Sequence, residues 1–404
     1  MPTSKKDERV RGTDRIGALP DGILHHLLSF LPAQAAVRTC LLARRWRHLW
    51  RSSTGLRIVG LDGAGPAKDL RVFVDHLLIL RERTDLDTVE IKFDGFFRDD
   101  EPYLKLWTRF AVMSKVRALT LHVDGYAFLY LDDLPLFSRH LRTLDLERVG
   151  SEQGFLDFAG CPALESLKMN ICGIGARKIS SHSLKHLSIT GCLSDSCHQL
   201  HVSTPSLVSL KLHDFSGITP FLENMAFLEM ACIYLGDDCY DRCLNHDDSG
   251  ASCGSGNKAC ENCDRANDNC SSDCVLLGGI SSARHLELTS ESGKLVFARD
   301  LKHCPTFGNL KALLLNEYWC EGPDLDPLAC ILKNSPVLEK LTLQLFSEGP
   351  NHEMEMKGRY SSMERSSAIS EHLNIVEVKC NVVDKKILKV LKFLCAFDIR
   401  FSFE

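Results

Sequence analysis

The chain has 404 residues, of which 44% are apolar and 25% are charged, and its formal net charge is -5. These values are typical of folded protein and exclude disorder, collagen or coiled coil as the whole structure. The small negative charge provides no overall field for phosphate groups, and no stretch approaches a membrane span of about 18 charge-free apolar residues. Nucleic acid and lipid bilayers are therefore poor candidates for partners.

Residues 1–14 are rich in charge and lack the apolar segment that follows the first charges of a signal peptide. We predict a disordered tail there and expect a cytoplasmic or nuclear protein, or one present in both compartments. The chain also contains 18 cysteines. In a reducing compartment these act as small hydrophobic residues, metal ligands or reactive thiols.

Residues 15–55 are predicted to form three short helices. Pro20 suits the first turn of a helix, since its ring fixes φ and its missing N–H would have no partner there. Four leucines between residues 24 and 31 follow at helical spacing, and Pro32 stops that helix. A second helix holds residues 35–37, and a third runs from about residue 41 to residue 50. So small a unit leaves apolar side chains uncovered, which implies a partner surface.

This segment resembles an F-box, in the version found in plant F-box proteins with leucine-rich repeats. The order and spacing match at Leu19-Pro20, Ile23, Leu27, Leu31-Pro32, Val37, Cys40-Leu41-Leu42 and Arg45-Trp46-Arg47-x-Leu49-Trp50, while Ala43 replaces the usual Ser. The resemblance implies binding to a Skp-type adaptor, which links the F-box to the cullin and RING subunits of an SCF-type ubiquitin ligase. The residues implied in adaptor binding are Leu19, Pro20, Ile23, Leu27, Leu31, Pro32, Val37, Leu42, Trp46 and Leu49. The alternative is a helical hairpin that only seals the edge of the next domain.

A unit of the form L-x-x-L-x-L recurs beyond residue 56, with other apolar residues substituting for Leu. Its first positions lie at residues 86, 116, 141, 164, 184, 207, 228, 283, 310, 338 and 373. Spacings of 25, 23, 20 and 23 residues between 116 and 207 fall in the range of leucine-rich repeats. We therefore predict an α/β solenoid over residues 56–380, with a curved parallel sheet. Pro162, Pro205 and Pro336 precede three of the units, where we expect extended chain leading into a strand.

The residues that alternate with the leucines are polar, and we expect them to line the concave surface of the solenoid. Their charge changes from acidic to mildly basic along successive repeats. The candidates for contact with a target protein are Asp145, Glu147, Lys168, Asn170, His186, Thr190, Lys211 and His213. The alternative is a solvated face without a partner.

Two segments are predicted outside the regular units. Residues 326–335 have helical spacing, and residues 381–404 contain an amphipathic helix with Ile387, Leu391 and Leu394 on one face, which we expect to cap the last repeat. This tail, together with residues 354–360 and 371–380 before it, also resembles the FBD-type region that follows the repeats in many of the plant proteins.

Residues 236–274 interrupt the repeats with seven cysteines among nine acidic and three basic residues. Cys260, Cys263, Cys270 and Cys274 have spacings that could supply four thiolates to a zinc ion. The six residues between the two pairs are fewer than in a zinc ribbon, so the alternative of an acidic disordered loop is preferred and no metal site is assigned.

No catalytic motif is present, and we expect a protein without enzymatic activity or cofactor. The leading hypothesis is the substrate-recognition subunit of an SCF-type ubiquitin ligase, whose repeats recruit a target protein. The second is a leucine-rich-repeat scaffold that binds partners without delivering them to a ligase. A third, a metal or redox sensor, depends on the cysteine-rich insertion alone. The concave surface lacks the clustered Arg and Lys pocket that a small phosphorylated ligand requires.

Overall fold

A computed structural model of the chain describes residues 16–60, 67–131, 137–151, 156–194, 198–240, 275–291, 297, 300–301, 303–320, 325–346, 370–381, 383, 385–395 and 401–403. Its α-helices are α1 (Asp21–Ser29), α2 (Ala33–Arg38), α3 (Ala67–Leu80), α4 (Glu101–Met113), α5 (Asp326–Lys333) and α6 (Lys385–Cys395). Short 3-10 helices cover Thr39–Leu41, Arg44–Arg47, Leu49–Ser52, Arg98–Asp100 and Glu317–Cys320.

Within the described residues, the main sheet has 13 parallel strands that follow one another in chain order. They are β1 (Gly55–Ile58), β2 (Thr88–Phe96), β3 (Ala118–Gly125), β5 (Thr143–Glu147), β7 (Ser166–Asn170), β10 (His186–Thr190), β13 (Ser209–His213), β16 (Met230–Leu235), β18 (His285–Ser290), β19 (Ala312–Asn316), β20 (Lys340–Leu345), β21 (Ile375–Cys380) and β22 (Phe401–Phe403). The predicted α/β repeat solenoid with a parallel sheet is confirmed.

The other strands that the structure describes form three smaller parallel sheets on the return side of the repeats. One contains β4 (Leu129–Tyr130), β6 (Val149–Ser151), β8 (Gly173–Ile174) and β11 (Leu193–Ser194). The second contains β9 (Lys178–Ser180), β12 (His201–Ser203) and β15 (Phe221–Leu222), and the third contains β14 (Gly217–Ile218) and β17 (Cys239–Tyr240). The central repeats therefore return through short strands, whereas α3, α4 and α5 lie in earlier and later repeats.

The leucines of the repeat unit build the core through strand register. Leu144, Leu167 and Leu187 occupy one row of neighbouring strands, and Leu146 and Met169 stand in the next inward row. Every one of these side chains is buried. Parallel strands lie about 4.8 Å apart, so each leucine packs directly on its equivalent in the next repeat. Because no single repeat covers its own apolar face, the stacking itself stabilises the array.

The three prolines ahead of repeat units lie in turns and not in extended chain, so that expectation was wrong. The N–H of Leu164 donates to the carbonyl of Cys161 at 3.0 Å, which places Pro162 at the second position of a β-turn. Equivalent bonds join Leu207 to Thr204 and Leu338 to Ser335. The fixed φ of proline suits that position of a turn, and the turn brings the first leucine into the core.

The N-terminal helical unit (residues 16–54) differs from the prediction at its third helix. Two α-helices are present, but residues 39–52 form three short 3-10 helices instead of one longer helix. Ala43 interrupts them in an extended conformation with φ -162° and ψ 162°. Trp46 is buried from the second of these short helices, and Leu49 and Trp50 are buried from the third. Pro20 lies immediately before the first residue of α1, and Pro32 lies immediately before the first residue of α2.

The ends of the array and the insertion also depart from the repeat pattern. Helix α6 buries Ile387, Val390 and Leu394, as an amphipathic helix should, and β22 then pairs with β21 beyond it. Cys239 belongs to β17 and is buried in the array, although the sequence places it in the cysteine-rich insertion. The predicted N-terminal tail, residues 1–14, and the rest of the insertion, residues 241–274, lie outside the described residues.

Candidate functional site

The N-terminal helical unit presents apolar side chains to solvent. Helix α1 turns Leu24 and Leu28 into the core, and it leaves Ile23 and Leu27 about half exposed on its other side. Leu41 and Leu42 follow α2 and are 85% and 69% exposed. We define the apolar surface of this unit as Ile16, Ile23, Leu27, Phe30, Leu31, Leu41 and Leu42, all of which are exposed. A concentration of large apolar side chains on so small a unit is typical of a protein interaction site.

The guanidinium of Arg45 fastens the start of this unit to its end. Its Nη2 donates to the carbonyl of Leu19 at 2.6 Å and to Oδ1 of Asp21 at 2.5 Å, and its Nη1 donates to the carbonyl of Gly17. Arg45 thereby fixes the chain segment that leads into α1. The Arg-Trp pair at the end of the motif and the Leu-Pro pair at its head are thus in direct structural contact.

The predicted adaptor-binding residues fall into three groups. Pro20, Ile23, Leu27, Leu31 and Leu42 are exposed on the unit. Leu19, Pro32 and Val37 are partly buried, and Leu19 and Val37 pack against the core.

Trp46 and Leu49 form the third group, because their side chains are only 7% and 9% exposed. They hold the short helices together and present little surface to a partner, contrary to the direct contact expected of them. Ile16, Phe30 and Leu41 were missed. Helical spacing gave no signal for Leu41, because both it and the neighbouring Leu42 point outward.

The N-terminal helical unit joins the array directly. Strand β1 follows it and pairs with β2, with Arg57 opposite Glu90. Arg57 Nε donates to Glu90 Oε2 at 2.5 Å, and its Nη1 donates to the carbonyl of Phe30 at 2.5 Å. Hydrogen bonds to Arg57 and Lys92 hold the pKa of Glu90 below its usual value, although burial opposes them. These contacts place the apolar surface in a fixed position relative to the sheet.

The outward face of the main sheet, here called the concave face, carries the predicted target-contact residues. Asp145, Lys168, Ser188 and Lys211 form one row across β5, β7, β10 and β13. A second row contains Glu147, Asn170, Thr190 and His213, and His186 lies between Ser166 and Ser209 in a third. The structure therefore brings all eight candidates onto one face, where each is exposed or partly exposed.

His122, which the sequence analysis missed, contacts both acidic candidates. Its Nε2 lies 3.1 Å from Asp145 Oδ1 and its Nδ1 lies 3.5 Å from Glu147 Oε2. Extending the row of alternating residues to the repeat at 116 would have identified it, since His122 stands beside Glu147 in register. These two carboxylates thus have a basic neighbour within the sheet.

The described residues contain no group of three or more His, Cys, Asp or Glu side chains arranged to hold a metal ion. The zinc candidates Cys260, Cys263, Cys270 and Cys274 lie outside them. Of the helices that the structure describes, none combines the length and apolarity needed to cross a membrane.

Comparison with known proteins supports the interpretation of both regions. Residues 16–57 match the family model of the F-box domain, and residues 78–221 match a model described as FBD-associated F-box protein At5g56370, LRR repeats. An F-box region is thus followed by a leucine-rich-repeat region, in the order that the sequence predicts. The predicted resemblance to the plant F-box and leucine-rich-repeat proteins is confirmed.

Similar proteins span most of the chain. FBD-associated F-box protein At4g10400 of Arabidopsis thaliana is 27% identical, over 84% of this chain and 79% of its own length. F-box/FBD/LRR-repeat protein At5g22700 of the same plant is 26% identical, over 94% of this chain and 89% of its own length. The MEIOTIC F-BOX protein MOF of Oryza sativa subsp. japonica is 28% identical, over 91% of this chain and 80% of its own length. These names indicate an adaptor-type protein rather than a catalytic enzyme.

Proposed function

We propose that this F-box protein is the substrate-recognition subunit of an SCF-type ubiquitin ligase. In this proposal the N-terminal unit binds a Skp-type adaptor and, through it, the cullin and RING subunits. The repeats recruit a target protein, and the chain itself contributes proximity rather than chemistry. The observation that carries the proposal is the apolar surface on a unit that matches the F-box family.

The energetics of the apolar surface favour a partner protein. Burying a leucine side chain stabilises a complex by about 1.5–3 kcal/mol relative to leaving it in water. Leu41 and Leu42, with Ile23 and Leu27 of α1, are large enough to supply the apolar centre of an interface. Arg45 fixes the backbone beside them, so little conformational entropy is lost on binding.

The adaptor-binding test uses a double substitution of exposed residues, Ile23→Asp with Leu42→Asp, in the full chain. These positions are preferable to Leu19, which packs against the core and whose loss would disturb folding. The matched control is Ile79→Asp with Met113→Asp, because these side chains of α3 and α4 are also strongly exposed and lie in the array. All three proteins are assayed for capture of a purified Skp-type adaptor.

We expect the first double variant to bind the adaptor at least about tenfold more weakly than the unsubstituted chain and the control. Thermal unfolding of all three should be alike, since no buried group is removed. Equal adaptor binding by both variants would contradict the proposed site. Failure of the folded, unsubstituted chain to bind any Skp-type adaptor would leave the free leucine-rich-repeat scaffold as the better hypothesis.

Delivery of a target requires a second assay. Proteins captured by the array are incubated with a reconstituted SCF ligase that contains either the unsubstituted chain or the Ile23→Asp, Leu42→Asp variant. Ubiquitination that depends on the intact F-box supports a substrate receptor. Capture without ubiquitination in the presence of adaptor binding supports the scaffold alternative.

A further inference from the structure

The centre of the concave face is basic and polar. Nine side chains of β7, β10 and β13 point outward, and they include two lysines and two histidines but no carboxylate: Ser166, Lys168, Asn170, His186, Ser188, Thr190, Ser209, Lys211 and His213. Lys168 and Lys211 are exposed and lie in the same row, separated by Ser188. We refer to these nine residues as the basic centre.

The carboxylates next to the basic centre already contact other basic groups. Asp145 lies 3.1 Å from His122, and Glu165 pairs with Lys185 at 3.1 Å. In the described part of the chain, no carboxylate lies within ion-pair distance of Lys168 or Lys211. The two ammonium groups are therefore available to an external anion, and five hydroxyl or amide side chains around them can donate further hydrogen bonds.

The next strand, β16, changes the character of the face from basic to apolar. Met230 is about half exposed, and the ring of Tyr234 stacks on His213 with centroids 4.7 Å apart. Cys232 lies between them in sequence, and burial together with a hydrogen bond to Glu287 raises the pKa of its thiol to about 11. The thiol is consequently uncharged at neutral pH, and its hydrogen bond to Glu287 of β18 limits the apolar edge beside the lysines to β16 itself.

We propose that the basic centre and β16 bind an extended acidic segment of the target protein, with an apolar residue following its carboxylates. This inference rests on the proposed function, and it specifies the chemistry of the target. Lys168 and Lys211 stand two strands apart, which corresponds to about 10 Å. An extended peptide of the polyproline type advances about 3.1 Å per residue, so carboxylates three residues apart match that separation. The apolar residue then falls one or two positions later, over Met230 and Tyr234.

The test measures direct binding of a labelled peptide to the purified full chain by fluorescence anisotropy. The probe is a fluorescein-labelled peptide with two Glu residues three positions apart, a Leu two positions after the second Glu, and Gly and Ser elsewhere. The variant is Lys168→Glu with Lys211→Glu. The matched control is Lys333→Glu with Lys392→Glu, which reverses two exposed charges on α5 and α6 and changes the net charge by the same amount.

We expect the unsubstituted chain and the control to bind the peptide, and the Lys168, Lys211 variant to bind about tenfold more weakly or not at all. The affinity should fall as salt is added, since exposed charge pairs are screened. Moving the two Glu residues to adjacent positions should also weaken binding.

Equal binding by both variants would overturn the proposal, as would failure of a folded chain that captures the adaptor to bind the peptide. Binding of a phosphorylated peptide but not of the carboxylate peptide would contradict the assignment to carboxylates. Equally tight binding of single-stranded DNA would show a general polyanion surface and would also overturn it. No adaptor is present in this assay. If the chain bound the peptide but failed to capture the adaptor, the proposed function would be contradicted while the peptide-binding inference would hold.

Discussion

The guanidinium of Arg81 donates a hydrogen bond from Nη2 to the backbone carbonyl of Ser53, and Nη1 donates to the carbonyl of Trp50 at 3.3 Å. Arg81 follows α3 of the first repeat, whereas Trp50 and Ser53 end the F-box. One side chain therefore closes the junction between the N-terminal helical unit and the array. Burial lowers the pKa of Arg81 to about 10, so the group is still protonated at neutral pH.

The first prediction concerns this junction. Arg81→Met should lower the free energy of unfolding by about 2–4 kcal/mol, because it leaves two part-buried carbonyl groups without these donors. Thermal or urea unfolding followed by circular dichroism measures the change. Arg117→Met is the control, since Arg117 is two-thirds exposed and pairs with Asp87 only at 3.4 Å. An effect of Arg81→Met no larger than that of the control would contradict the role of Arg81.

A second prediction uses two glycines of the F-box. A Cβ added at Gly55 would lie 2.6 Å from Cβ of Ser29 and 2.7 Å from its carbonyl oxygen, so β1 could not approach the end of α1. Nothing lies within 4 Å of the Cβ position of Gly22, near the start of α1. Gly55→Ala should lower the melting temperature, whereas Gly22→Ala should leave it unchanged or stabilise the protein by up to about 1 kcal/mol.

The measurement for this pair is differential scanning calorimetry of the two variants beside the unsubstituted chain. Adaptor binding serves as a second readout. If Gly55→Ala displaces α1 from β1, the apolar surface shifts relative to the concave face, and Gly22→Ala causes no such shift. A Gly55→Ala protein as stable as the Gly22→Ala protein would contradict the close approach.

Much of the array follows from its sequence because one spacing fixes both strand and core. The L-x-x-L-x-L unit predicts every strand of the main sheet except β1 and β22. Strand β1 lacks the first leucine of the unit, and β22 is only three residues long. The spacing could not show that the central repeats return through strands, since two or three residues carry too little periodicity.

The site was predictable to a smaller extent. The F-box motif located the N-terminal apolar surface, but only the structure separates exposed Leu42 from buried Trp46, because some motif residues pack inside the unit and others lie on its surface. On the concave face, alternation with leucine correctly predicted the outward rows. The alternation did not reveal that the imidazole of His122 contacts the carboxylate of Asp145, since that contact joins residues of different repeats.

A third prediction concerns Asp300, a buried carboxylate that receives three consecutive backbone N–H groups. Its oxygens accept from Val275 at 3.0 Å and from Leu276 and Leu277 at 2.8 Å each. Asp300→Ala should lower the free energy of unfolding by about 3 kcal/mol or more, because buried donors lose their acceptor. Hydrogen exchange of these three amides should accelerate.

The control for Asp300 is Asp85→Ala, which removes an exposed carboxylate paired with Lys115 at 3.1 Å. Surface pairs of this kind contribute at most about 1 kcal/mol. If both substitutions had equal effects on unfolding and on exchange at residues 275–277, Asp300 would not be the anchor of that segment.

The last prediction is a pH dependence near the C-terminal end of the array. Glu377 of β21 accepts from Lys340 at 2.8 Å and from Lys379 at 3.2 Å, and these bonds lower the pKa of its carboxyl to about 2. A carboxyl whose pKa is lower in the folded state stabilises the fold above its unfolded pKa of about 4.5. That contribution is lost as the pH falls through the folded pKa.

Glu377→Gln should therefore be less stable than the unsubstituted chain at pH 7, and the difference should shrink as the pH falls from about 4.5 toward 2. Urea unfolding at a series of pH values measures that difference. Glu339→Gln is the control, because Glu339 pairs with Lys311 at 2.7 Å while both side chains are about half exposed, so solvent screens their attraction. A stability difference for Glu377→Gln that stayed constant across this pH range would show that the carboxylate charge does not stabilise β21. The effect of Gln would then reflect altered packing between β20 and β21 alone.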